Sequence, residues 1–187
     1  MKLLKTMACL AFVVAAHLTP AAAASVWKIV PDKSSLMFTA TQNGAPVKGD
    51  FKKFSGEINF DLDQLKDSKV KIIVDMGSLS TSYNDLTMTL KTPDWFDMKL
   101  FPEAIFEASE FTKTGDNEYQ AKGTLTLRDK SQPVVLNFTA SQTGNNAMVK
   151  GSTTIKRTAF GVGRGEWSSL NEIKDDVKVD FLINATK

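Results

Sequence analysis

The sequence predicts an all-β domain that follows a cleaved signal peptide. Three observations lead there. Apolar residues alternate with polar ones in run after run, which is the period of a half-buried strand. Glycine- and asparagine-rich turn signals separate these runs. The opening segment has the charge and hydropathy of a secretory leader. With 187 residues, 42% hydrophobic and 24% charged, the chain has the size and composition of one globular domain.

Lys2 and Lys5 form a short basic region, and Met7 to Ala16 is apolar but too short to span a bilayer. Ala22-Ala23-Ala24 offers a small-residue cleavage site before Ser25, so the mature domain is expected to be 25–187 and its destination the periplasm. Cleavage removes Cys9 and His17, the single cysteine and single histidine. A disulfide, a Cys/His metal site, and Ser-His-Asp or Cys-His catalysis are then excluded. Losing Lys2 and Lys5 brings 23 basic residues level with 21 acidic ones. A neutral domain has little general attraction for nucleic acid or anionic membrane. Cys9 precedes most of the apolar region instead of ending it, which argues against a lipoprotein leader.

The strands follow in order. Leu36, Phe38 and Ala40 share one face, as do Val70, Ile72 and Val74. Tyr119, Ala121, Gly123, Leu125 and Leu127 form the next set, then Val134, Leu136, Phe138 and Ala140. Val177, Val179, Phe181, Ile183 and Ala185 close the series. One apolar and one wet face is the signature of antiparallel sheets. Turns are expected at Asn43 to Pro46, Gly115 to Asn117 and Gly144 to Asn146, with a polar connection over Arg128 to Pro133. The alternation is lost between Tyr83 and Leu100, where Asn84 or Asp85 is expected to cap a short helix over Leu86 to Leu90. Thr92-Pro93 would stop it. About eight or more such strands must hide their apolar face in a sandwich or a closed barrel, and periodicity does not choose between them.

Chemistry-bearing residues are sparse. Glu57, Asp61 and Asp63 fall at turns or outward faces, and no pair of carboxylates has the look of an acid–base site. Asp61-x-Asp63 and Asp175-Asp176 lack the spacing of a calcium loop. Gly161-x-Gly163-x-Gly165 follows no βα unit and reads as a bend, not a dinucleotide loop. The aromatics say more. Phe38, Phe60, Phe106, Phe138 and Phe181 fall on inward faces, while Phe51, Phe54, Trp95, Phe96, Phe101, Phe160 and Trp167 lie near strand ends and connections. They form either a packed core or the lining of an apolar cavity.

The chain resembles the YceI-like, polyisoprenoid-binding protein family. The resemblance opens with Trp27-x-x-x-Pro31-Asp32-x-Ser34-x-Leu36-x-Phe38 and continues with Val47-x-Gly49-x-Phe51-x-x-Phe54-Ser55-Gly56-x-Ile58-x-Phe60-Asp61. Trp95-Phe96-Asp97, Phe101-Pro102-x-Ala104-x-Phe106, Gly123-x-Leu125-Thr126-Leu127-Arg128 and Pro133-Val134-x-Leu136 follow, and Arg157-x-x-Phe160-Gly161-Val162-Gly163 with Val177-x-Val179 closes it. It implies an eight-stranded antiparallel, lipocalin-like barrel with an apolar tunnel for a long isoprenoid or other amphiphilic lipid. Many relatives carry an arginine and a histidine in the helix segment, where this chain has Asn84 to Lys91, and a glycine where it has Asp129.

The expected function is therefore a non-enzymatic periplasmic carrier, its ligand a polyprenyl quinone or polyprenyl phosphate, with no metal. Phe38, Phe51, Phe60, Trp95, Phe96, Phe106, Leu125, Leu136, Phe138, Phe160 and Phe181 are expected to contact the chain of the ligand. Ala104, Ala121, Gly123 and Gly151 would leave room for it. Asn84, Asp85 and Arg157 are the candidate donors to its polar end, against the competing roles of helix cap for Asp85 and ion pair for Arg157. The alternative is an interaction module, its barrel filled by its own rings, docking a membrane or redox partner through its loops. Open barrel ends with exposed rings would also allow a homodimer.

Overall fold

The computed structural model describes residues 26–187, and the expected signal peptide lies outside the described residues. Eleven strands and one helix follow in order. They are β1 (Val26–Ile29), β2 (Ser35–Gln42), β3 (Ala45–Phe51), β4 (Phe54–Asn59), β5 (Lys69–Asp75), β6 (Leu79–Thr81), α1 (Asn84–Leu90), β7 (Glu103–Lys113), β8 (Glu118–Leu127), β9 (Lys130–Thr143), β10 (Asn146–Lys156) and β11 (Asp176–Thr186).

All pairings are antiparallel, and the sheet closes on itself. β11 pairs with both β1 and β2, while β4 pairs with β1 and β3 with β2. β5 continues the order beside β4, and β6 beside β3. The first six strands are thus three long strands, each broken once: by the 3-10 turn Pro31–Lys33, by Lys52 and Lys53, and by the 3-10 turn Met76–Ser78. With β7 to β11 they form an eight-stranded up-and-down barrel, the closed solution to the edge problem.

The turn signals fall at hairpin tips. Asn43 and Gly44 both take positive φ, 49° and 78°, as a two-residue hairpin with right-handed strand twist requires. The Arg128 connection is shorter than the sequence suggests. β9 begins at Lys130 and runs through Pro133, which pairs with Thr124. A bulge between Ala108 and Glu110 moves β7 from even to odd inward positions, so Phe106 and Phe111 both face the interior.

The barrel has two different ends. α1, the segment 91–102 and the segment 157–175 build one of them, called here the upper end. Leu86, Thr89 and Leu90 of α1 share a face and turn it inward. α1 starts at Asn84, and its capping position is Tyr83, with no side-chain cap. The expected cap by Asn84 or Asp85 is therefore not made; both are first-turn residues whose backbone is already helical. At the lower end Trp27 Nε1 donates to Phe60 O at 2.8 Å, and Leu62 and Leu65 pack beneath the rings that close the barrel.

Candidate ligand-binding cavity

Inward residues of every long strand leave an interior space of about 400 Å³. It runs from Leu86 and Trp167 at the upper end to Phe60 and Phe111 at the lower end, and its wall is almost wholly apolar. Along β11 alone the wall takes in Val177, Val179, Phe181 and Ile183, about 20 Å of strand at the usual rise. The volume is that of a small-molecule site.

Rings order the two halves. Phe51 lies between Phe38 and Phe96, with centroids 6.0 and 6.2 Å away. Phe60 meets Phe111 at 5.3 Å, Phe138 at 6.1 Å and Tyr119 at 6.2 Å, and this cluster shuts the lower end. Gly123 and Gly151 do not hold space open for a ligand, as the sequence led us to expect. A Cβ at Gly151 would sit 2.6 Å from both Phe138 Cβ and Phe181 Cζ, and one at Gly123 would sit 2.6 Å from Phe106 Cζ. These glycines seat the rings, and the rings form the wall. Ala104 and Ala121 do line the cavity.

Of the candidate ligand-binding residues, Phe38, Phe51, Phe60, Trp95, Phe96, Phe106, Leu125, Leu136, Phe138, Arg157 and Phe181 surround this one cavity. Three do not. Asn84 and Asp85 are exposed in the first turn of α1 and take no part in the wall. Phe160 is 1% exposed and packs in the core behind the wall.

Arg157 reaches the cavity but is neither an ion pair nor a free donor. Its Nη1 donates to Val162 O and Gly163 O, both at 2.9 Å. Nη2 donates to Trp167 O at 2.9 Å and Ile173 O at 3.0 Å, and Nε to Lys174 O at 3.3 Å. A guanidinium has five N–H donors, and all five are taken by backbone carbonyls. Burial lowers its pKa from the usual guanidinium value, with Asp175 opposing. Asp175 itself feels burial pushing it up, but the N–H and hydroxyl of Thr158 and the charges of Lys156 and Arg157 hold it below the ordinary carboxylate value.

Arg128 does for the segment 93–95 what Arg157 does for 162–174. It takes a φ of +58°, is buried, and donates from Nη1 to Pro93 O at 2.9 Å and to Trp95 O. Burial and then Arg164 lower its pKa. The two segments are joined by Gly163 N and Arg164 N, which both donate to Asp94 O at 2.8 Å. Trp95 and Trp167 consequently meet with centroids 5.7 Å apart over the upper end. Ile173 of this wall carried little signal in the sequence, because it stands singly among polar residues with no period, while Val162 entered only through the resemblance and Trp167 only as an aromatic near a connection.

Comparisons with known proteins agree with this architecture. A UPF0312 protein of Vibrio cholerae is 30% identical over 122 residues, which span 62% of this chain and 65% of that protein's length. The crystal structure of Burkholderia cenocepacia BcnA superposes with a TM-score of 0.81 at 32% identity, covering 84% of this chain and 99% of that one. A polyisoprenoid binding domain from Saccharophagus degradans, at 17% identity, shares the fold with a TM-score of 0.68, covering 86% of this chain and 97% of that one. The YceI-like domain pattern matches residues 27–185, and the chain belongs to that family.

Proposed function

We propose that the protein is a periplasmic carrier that holds the chain of a long isoprenoid, or of another amphiphilic lipid, inside its barrel without transforming it. The observation that carries this reading is the continuous apolar cavity of about 400 Å³ running between the two ends. A barrel packed solid with its own rings, as an interaction module would be, leaves no such space. Burying about ten methylene groups contributes about 8 kcal/mol, against an association cost of about 4–15 kcal/mol. A long chain can meet that cost where a short acyl group cannot. Rigid rings in the wall lose little entropy on binding. The Saccharophagus degradans domain, described as polyisoprenoid binding, has the same fold and lends the ligand class its support.

Mass spectrometry of the protein isolated from the periplasm of its own cells tests the proposal. A native mass exceeding the denatured mass by one lipid, identified in the solvent extract, is the expected result. Protein that emerges without lipid, and takes up none when isoprenoids are added back, would sink the carrier reading. Recovery of the protein only from the cytoplasmic fraction would sink the location.

A further inference from the structure

Among the described residues, eight large hydrophobic side chains are exposed. Val26 and Met148 lie toward the lower end, and Met37 and Val135 stand on strands of the barrel side. The other four, Tyr83, Met88, Leu100 and Leu170, all belong to the segments of the upper end, and they are 73%, 56%, 66% and 45% exposed. They share one arc of the rim. Tyr83 and Met88 follow β6, and Leu100 precedes β7, which meets β5 only from Glu103 onward and leaves β6 without a partner on that side. Leu170 lies just before Ile173, which bridges to Gln42 at the end of β2, and β2 pairs with β3 beside β6. Water is a poor surrounding for such side chains, and their grouping at one end points to a contact.

The cavity indicates what the contact is with. Its apolar wall ends at Leu86, Trp95 and Trp167 beneath the same segments, while the Phe60 cluster shuts the other end. α1 separates two apolar surfaces, with Leu86 and Leu90 turned to the interior and Met88 to the outside. A long isoprenoid is concentrated in bilayers and scarce in water, so a cavity that takes one is served by a rim that meets lipid. Charge fits the same partner. Asp85, Asp94 and Asp97 stand against Lys91 and Lys99 in one segment, and Glu166, Glu172 and Asp175 against Arg157, Arg164 and Lys174 in the other. A rim so nearly balanced has little attraction for anionic lipid, and apolar insertion is left to hold it. Tyr83 has the apolar body and polar tip that suit the headgroup level. Lys99, next to Leu100, can lay its stem on lipid and keep its charge in water. A protein partner would need a continuous apolar core, whereas these four side chains come from separate turns with Asn84, Thr87, Thr89, Lys99 and Asn171 as their chain neighbours.

We infer that the upper end docks on the surface of a lipid bilayer, with Tyr83, Met88, Leu100 and Leu170 entering the headgroup boundary, and that the cavity exchanges its ligand there. The exchange rests on the carrier reading; the docking is measured without it.

Flotation of the purified protein with vesicles of phosphatidylcholine alone, free of isoprenoid, is the test. The protein should float with the vesicles, and raising the salt from about 0.1 M to about 1 M should not release it. Met88→Gln, Leu100→Gln and Leu170→Gln should each lower the partition coefficient about threefold to tenfold, and combined with Tyr83→Ser they should abolish flotation. All four sites are exposed, so urea midpoints should stay at the wild-type value. Val26→Gln with Met148→Gln, exposed at the opposite end, should float as the wild type does. Failure of the wild type to float, or an equal loss from the lower-end pair, would overturn the inference. Attachment that requires phosphatidylglycerol and is lost in salt would also overturn it, putting charge in place of apolar insertion. A wild type that stays off vesicles and is dimeric by light scattering, but monomeric with the four substitutions, would give this face to a second copy of the chain. Uptake of added isoprenoid without flotation would remove the docking and leave the carrier reading standing. Flotation of protein that takes up no isoprenoid would keep the docking and remove the carrier reading.

Discussion

Arg157 is a positive charge enclosed in protein, with carbonyl dipoles in place of a carboxylate. Each of its five hydrogen bonds ends on a segment that forms the upper end, so the side chain ties 162–174 into one piece. Arg157→Met keeps the stem and strands those carbonyls. The expected loss is at least about 3 kcal/mol, since each orphaned buried acceptor costs about 1–3 kcal/mol and some regain water. Arg157→Lys should rescue little, because an ammonium offers three donors from one point where five carbonyls converge on a planar fork. Urea midpoints for the two variants check this; full rescue by lysine would show that charge alone matters. Gly163 belongs to the same arrangement. It has φ +74°, and a Cβ there would overlap Arg157 Nη1. Sequence reading could place Arg157 at the cavity but not read its role. The carbonyls it serves lie on a segment with no periodicity, and a backbone acceptor leaves no trace in residue identity.

At the scale of the element, β10 shows how the barrel keeps its wall. Gly151 pairs with Phe138 of β9 on one side and Phe181 of β11 on the other, and the tip of the Phe181 ring lies over it. Gly151→Ala should cost about 1–3 kcal/mol, the usual range for overpacking. The added methyl meets Phe138 Cβ, which is fixed to the backbone, as well as the movable tip of Phe181. Combining it with Phe181→Leu should recover part of the loss, giving a coupling energy outside the scatter for independent sites. Purely additive destabilisation would place the strain in the backbone, against Asn137 O. The same strand explains what was legible in the sequence. β2, β5, β8, β9 and β11 declare themselves through branched and aromatic residues at alternate positions. β10 turns Ala147, Val149, Gly151, Thr153 and Ile155 toward the interior, and glycine and threonine dilute its signal. The bulge in β7 breaks the count of two, and β1, β3, β4 and β6 are pieces of interrupted strands too short to show a period. Closure into a barrel depends on β11 meeting β1 and β2, a long-range pairing that the resemblance implied and local pattern did not.

The whole molecule combines a closed sheet with one discontinuity. Among the described residues β6 pairs with β3 alone, and β7 pairs with β5 only up to Asp75 and Glu103. Between them the wall is completed by α1 and 91–102, held by side-chain packing and local turns instead of a strand ladder. The lower end differs, because β8, β9, β10 and β11 pair along most of their length there and the Phe60 cluster fills the space. A ligand in the cavity adds contacts to both ends, yet only the upper wall has low local stability to gain from them. Loading delipidated protein with an isoprenoid at about one hundred times its Kd should stabilise it by about 2.7 kcal/mol. Amide hydrogen exchange should show where that stabilisation falls. The expected pattern is strong slowing in α1, 91–102 and 157–175, with little change in β8 to β10 around Tyr119 and Phe138. That pattern would identify the upper wall as the part that opens for exchange of lipid. Slowing centred on the lower cluster would place the entrance at the opposite end. Uniform slowing across the barrel would mean that the molecule opens only by global unfolding, and that the gap between β6 and β7 has no part in loading.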